Sequence, residues 1–408
     1  MLFYEIKKVF YRTANKVVLL LLLFVLLFSS WMVMRDIYWV NGEGENEYGI
    51  SAVQKLEKAQ HEWAGPLTEE RIAEVIKKNT EINNTPEAQS EDIQQSNIAY
   101  SWKQGINGIR ECLNTSFSSF QEYDYYTADS LTPADAADFY SNRIKYLEKW
   151  LNNEENDGRY SEAEKNFLLK QYQEMKAPLY YDFVENWDGF FQYAVTVQMF
   201  LAMLLGFLVS GIFSNETQTR ADAVFFSTQY GRSKAVRAKI LAGFCIVTML
   251  YWVIILLYTL FVLGSTGFTG AECMIQILHW KSFYNITMAQ EYWLLVFGGY
   301  IGCLFLASVT MLVSAKTKSG IIAALIPFVS IFIPNFLANT IENELSDKIV
   351  ALLPDQLLQL GFVLNRFNMY SIGGTVVGAV VILFVLYIVL TLVLQPVLYV
   401  VFRRQEVR

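Results

Sequence analysis

The sequence predicts an α-helical polytopic membrane protein, with six transmembrane helices and a mainly helical extracytoplasmic domain inserted between spans one and two. Three observations predict it. Of 408 residues, 53% are hydrophobic and 17% charged, against about 25% charged in a soluble domain. Stretches 17–34, 192–213, 240–263, 292–315, 320–338 and 373–402 approach or exceed the roughly 20 residues a helix needs to cross a bilayer, and none holds Lys, Arg, Asp or Glu. Charge is also partitioned: Asp36 to Asp188 carries 29 acidic and 14 basic residues, net −15, and the rest of the chain is net +8. An acidic polar domain is thus set into a basic, apolar chain. Such a domain repels phosphate, which argues against nucleic-acid binding. Four cysteines in this length argue against a disulfide framework.

Each element follows in order. Within residues 1–16, Leu2, Phe3, Ile6, Val9 and Phe10 line one helical face and Lys7, Lys8 and Arg12 the other, the pattern of a helix lying in the membrane interface. The run 17–34 follows basic residues as a signal peptide would, but it exceeds the usual apolar length and Ser30 to Met34 offers no small-x-small cleavage site. It reads as a retained anchor. With the N-terminus inside, 14 basic residues fall on cytoplasmic segments, and only Arg35, Lys281, Lys348 and Arg366 fall on the short outer ones. Both termini are therefore expected in the cytoplasm of a bacterial cell whose plasma membrane the chain crosses several times.

The domain at 35–191 is then outside. Thr132 and Pro133 predict an N-cap and first position ahead of Phe139, Tyr140, Ile144, Leu147 and Leu151 at helical spacing. Ser161 with Glu164 predicts a capping box before Phe167, Leu168 and Tyr172. A third helix starts near Thr68 with Ile72 and Val75, 83–96 reads as a loop, and no strong period-two strand is seen. Beyond the loop 214–239, the remaining spans lie in 240–408. There 349–360 is apolar but too short to cross, with Pro354 and Asp355 in its middle, which suits a re-entrant segment. A short cytoplasmic tail ends the chain.

Little in the sequence suggests catalysis. His61 and His279 are the only histidines, in no metal-ligand spacing, and neither a GxxxxGK[ST] phosphate loop nor a GxSxG elbow is present. No acidic pair or histidine cluster marks a polytopic enzyme. Ion-driven transporters place ionisable groups at membrane depth, and the apolar runs hold none. If the chain transports, its energy is expected from elsewhere. Gln192, Gln198 and Gln395 are the main polar candidates near or within spans, and interhelical hydrogen bonding is their expected role. Trp187 with Gln192 and Gln198 is the candidate substrate path, although aromatic residues at a span boundary serve first as interfacial anchors. Cys112 and Cys273 fall outside and Cys245 and Cys303 in spans; free thiols are expected, with a bond between the outer pair conceivable.

The informative stretch joins spans two and three. Ala223, Val224, Phe225 and Phe226 form an apolar ridge too short to span, flanked by Glu216, Arg220 and Asp222 and then by Arg232, Lys234, Arg237 and Lys239. A ridge of this kind either seats a partner or hugs the headgroups. Phe213, Glu216, the run Phe225 to Thr228, Arg232 and the pair Lys239 and Gly243 resemble the first intracellular segment of the permease subunits of type-two ABC exporters, although that family often has Gly where Arg220 stands and Pro near Gln229. The basic N-terminal helix, six spans, the re-entrant segment and the ending Phe402 to Val407 are similar too. The acidic domain resembles nothing in it beyond the insertions that some members carry.

The resemblance implies a permease that moves a peptide, lipid-like compound or drug out of the cell. It implies no cofactor in this chain, with ATP and magnesium on a separate cytoplasmic ABC ATPase, and a second permease subunit, identical or paralogous, alongside membrane lipids. Glu216, Arg220, Val224, Phe225, Phe226 and Arg232 would carry the coupling. The rival reading is a membrane sensor or assembly protein whose outer domain binds a ligand and which needs no ATPase.

Overall fold

A computed structural model describes residues 1–156, 158–338 and 344–405. The chain is mostly helical, and five of its helices are long and apolar enough to cross a membrane: α2 (Thr13–Asp36), α9 (Glu185–Ser210), α12 (Lys234–Thr266), α13 (Met288–Thr317) and α17 (Ala379–Arg403). The sixth apolar stretch forms α14 (Gly320–Ala338), which carries Pro327 and Pro334. Its apolar helical run through Gly320–Pro334 is shorter than the other five. Proline removes a backbone donor and kinks a helix, so α14 depends on its neighbours. Gly206 of α9 answers Pro327: a Cβ there would lie 2.3 Å from the ring.

Helix α1 (Leu2–Tyr11) ends at Arg12, whose extended backbone turns the chain into α2. Helix α2 is apolar on all sides, so burial sorts its faces. Val18, Leu22, Leu26 and Val33 pack into the bundle, and Leu20, Phe24, Leu27 and Trp31 are left exposed, as lipid contact requires. Helices α9 and α13 form the centre, with α2, α12, α14 and α17 around them.

Between α2 and α9 lies the polar domain. It contains α3 (Ile50–His61), α4 (Glu69–Asn83), α5 (Ile93–Lys103), α6 (Asn107–Phe117), α7 (Phe139–Leu151) and α8 (Glu162–Gln173). Thr68 caps α4, accepting from Arg71 N at 3.3 Å; the capping box of Ser161 and Glu164 opens α8. Thr132 and Asp135 form another box, but Pro133–Asp138 winds as a 3₁₀ turn before α7 begins. One expectation needs correction here, and further elements are added to it. The loop read over 83–96 ends early, because Asp92 caps α5. Helices α3 and α6 were not foreseen. Two small antiparallel pairs, Tyr38–Val40 with Asn46–Tyr48 and Gly65–Pro66 with Tyr180–Tyr181, staple the domain to the start of its own chain and to α9.

The long helices overrun the apolar runs that announce them. Helix α9 begins at Glu185 rather than near 192, and Thr287 with Gln290 forms a capping box that starts α13 at Met288. The last expected span starts late: Met369–Ile372 and Thr375–Gly378 pair across Gly373 and Gly374, both at positive φ, before α17 begins. Segment 349–360 is broken into pieces, with α15 (Glu344–Val350), a 3₁₀ turn Pro354–Gln359 and α16 (Leu360–Leu364). One apolar core runs unbroken from Leu22 and Leu208 in the bundle to Ile72 and Phe139 in the domain. The loop 267–287 is the hinge pin between them. Arg143 of α7, itself buried, donates to Trp280 O at 3.0 Å and Ser282 O at 2.6 Å and lies 3.7 Å from the Tyr172 ring.

Candidate functional site

At the end of the bundle away from the polar domain, the loop 214–233 folds into two short helices, α10 (Asn215–Gln218) and α11 (Asp222–Ser227). Glu216 does not face solvent. Its carboxylate accepts from Lys239 Nζ of α12 at 2.7 Å and from Lys8 Nζ of α1 at 3.2 Å, and Lys239 reaches on to Glu5 at 2.9 Å and Ile212 O at 2.9 Å. Lys239 is buried at 1% side-chain exposure, so its charge is neutralised wholly by this network. Burial alone would raise the Glu216 carboxyl, but Lys239 and Lys8 overcome it and hold it below its ordinary value.

The apolar ridge divides. Phe226 turns inward, packing with Phe225 at 5.2 Å and with Phe402 at the end of α17 at 5.4 Å, and Phe213 meets Phe402 at 4.7 Å. Arg232 lies 4.7 Å over Phe226 and donates to Arg403 O at 2.7 Å. Phe225 is half-buried, whereas Val224 is 70% exposed, beside exposed Ala223. Arg220 adopts φ 56, a left-handed conformation that favours glycine. Gly231 is required by space: a Cβ would meet Phe225 O at 1.9 Å. Ion pairs through Glu216 of α10 and aromatic packing through Phe226 of α11 thus tie the loop to α1, α12 and α17, leaving one small apolar face of α11 outward.

The path candidates are not brought together. Trp187 is buried and donates from Nε1 to Thr269 O at 2.8 Å, Gln192 is exposed beside a cavity of about 150 Å³ between α2, α3 and α9, and Gln198 is buried, donating to Leu295 O of α13 at 2.9 Å. Gln395 donates to Ser308 Oγ at 3.1 Å. Cys112 and Cys273 are buried free thiols. His61 pairs with Asp182 at 3.0 Å.

Sequence reasoning missed a set of ionisable groups. Because the helices overrun the apolar runs, Glu185, Asp188, Lys239 and Glu291 belong to the long apolar helices after all. The expectation that those helices are free of charge is corrected by the cap at Thr287 and by the early start of α9. Glu291 is fully buried, and so is Asp355 in the broken segment. Among the described residues no group of three or more His, Cys, Asp or Glu could hold a metal ion.

Compared with known proteins, the chain matches no protein-family model, no curated protein and no solved structure.

Proposed function

We propose that this chain is the permease subunit of an ATP-binding-cassette exporter, carrying a peptide, lipid-like compound or drug outward across the plasma membrane with ATP hydrolysed on a separate subunit. The observation that carries the reading is the mounting of α11. The surface loop that carries α11 (Asp222–Ser227) is clamped to α1 and α12 through Glu216 of α10, paired with Lys8 and Lys239, and to α17 through Phe226 of α11 and Arg232. A push on its outward face at Ala223 and Val224 is therefore delivered to three helices at once. A loop that only rested on headgroups would need no such clamp. The charge bias of the short segments supports a cytoplasmic place for α11, with the acidic domain outside. Two permease subunits would enclose the path, since the apolar helices of one chain make about half of the usual set.

The division of the ridge selects the variant. Val224→Asp places a carboxylate on the exposed face without touching the clamp, so fold and thermal stability are expected to hold while an associated ATPase is lost from the purified complex or its hydrolysis is uncoupled. An unburied contact that becomes a buried unpaired charge costs several kcal/mol. If an ATPase co-purifies equally with V224D and turns over unchanged, this coupling role is wrong. If none co-purifies with the native chain, the sensor or assembly reading takes its place.

A further inference from the structure

Glu291 lies in the first turn of α13, one residue before the apolar run begins, and it is fully buried. Neither carboxylate oxygen has a hydrogen-bond partner among the described residues. Buried carboxylates are ordinarily paired or hydrogen-bonded, because an isolated charge in such surroundings is strongly disfavoured. Among the described residues no Lys or Arg side chain pairs with it. The basic residues of α12, α13 and α17 sit at the far end of the bundle, Lys239 among them and already committed to Glu5 and Glu216. Helix α14 and α16 carry no ionisable side chain. On the loop 267–287, Lys281 reaches away to Phe120 O. The titratable groups on the other elements packed against α13 include Glu185, Asp188 and Tyr193 on α9, Asp355 on the 3₁₀ turn, Tyr251 and Tyr258 on α12 and Tyr387 on α17. The carboxylates among them only add like charge.

One basic group is within reach. His279 Nε2 stands 3.9 Å from Glu291 Oε1, and its side chain is 21% exposed. Burial pushes the His279 imidazole down to about 4, so it is neutral near pH 7. The broken segment also borders the carboxyl, with Gly361 so placed that a Cβ would lie 3.8 Å from Oε1.

We propose that Glu291 is a proton-binding site, reached from the polar-domain side through His279, and that it holds its proton while the segment 354–364 borders it. One proton from solution binds His279 Nε2 and passes to a Glu291 oxygen, leaving a neutral acid beside a neutral imidazole; release runs the same steps backward. No other species is consumed. A neutral carboxyl can occupy this unpartnered position, whereas loss of the proton leaves a bare carboxylate that must draw in water and lift the segment. The site stands whether or not an ATPase drives the protein.

The test uses the full-length protein in detergent. Infrared spectra taken near neutral pH are expected to show a protonated-carboxyl C=O band that is missing from Glu291→Gln, a near-isosteric and permanently neutral side chain. The sign for stability follows from a folded acid that keeps its proton beside an unfolded one that titrates normally near 4.3. Stability is complete below the unfolded value and is lost as pH rises. The thermal midpoint of the native chain is therefore expected to fall by several degrees between about pH 5 and 9 relative to E291Q. His279→Gln should retain the band but slow its hydrogen–deuterium exchange several-fold. Identical spectra and parallel pH profiles for native protein and E291Q would overturn the site, and unchanged exchange in H279Q would remove His279 from the route. Should E291Q fail to accumulate, titration of the band in the native protein decides alone: absence of the band at neutral pH overturns the site.

Discussion

Lys239 shows how one buried charge can organise a membrane protein's end. Its ammonium is neutralised by Glu216 and Glu5, which come from chain positions far apart, and it also satisfies Ile212 O at the end of α9. Removing one partner of a buried pair costs about 3–5 kcal/mol, because the other is left uncompensated, whereas replacing both by apolar groups can be neutral. Lys239→Met is therefore expected to lower the thermal midpoint of the detergent-solubilised protein markedly. The double variant Lys239→Met with Glu216→Gln should regain much of the loss, since Glu5, at the partly open rim, keeps its ion pair with Lys8 at 3.3 Å. A double-mutant cycle on the midpoints measures this, and simple additivity would show that the two residues do not act as a pair. Acid should act on the same bracket. Glu216 is held below its ordinary value, so the stability it contributes is present above the unfolded carboxylate's titration and disappears as pH falls through the folded one.

At the scale of elements, legibility follows the range of the forces. The capping box at Ser161 and the N-cap at Thr132 were readable because their partners lie within four residues. Helices α3 and α6 were not, since what they bury, such as Gln60, Arg110 and Asn114, only makes sense once partners across the domain are known. The start of α17 misled because Gly373 and Gly374 stand beside a long apolar run and only their positive φ makes a turn of them. The loop 214–233 was readable as a ridge among charges, but not which way each side chain faces. Phe226 turns inward to meet Phe402, which is 176 positions away in the sequence. Gly231 tests the importance of that loop's shape. Gly231→Ala sets a Cβ against Phe225 O, a backbone atom that no rotamer change can move. The α11 turn should open while α9, α12 and α13 stay assembled. Limited proteolysis is expected to cut 220–233 faster in G231A with little change in the overall thermal midpoint, and equal cutting rates would show that the turn tolerates the methyl group.

At the scale of the whole molecule, the polar domain and the bundle are one packed body rather than a bead on two strings. Arg143 clamps the loop 267–287, Tyr172 OH donates to Lys281 O at 2.5 Å, and Cys112 lies against Ile277 O. Excising the domain would strip this cover from Cys273, Ile275 and Trp280, so it would disturb the bundle whatever the domain does. Sidedness is better tested with the body intact. Ser96 is exposed on the polar domain, and Thr228 is exposed next to α11 at the opposite end. In a background where Cys112, Cys245, Cys273 and Cys303 are replaced by alanine, or at least exposed Cys245, a cysteine at 96 should react with an impermeant thiol reagent added to intact cells. A cysteine at 228 should react only after the membrane is opened. The short-segment charge bias of 14 to 4 rests on an electrostatic preference acting during insertion. The two labels must therefore give opposite answers: equal labelling would contradict the placement of the two ends, and reversed labelling would put α11 outside and remove any cytoplasmic ATPase from its reach.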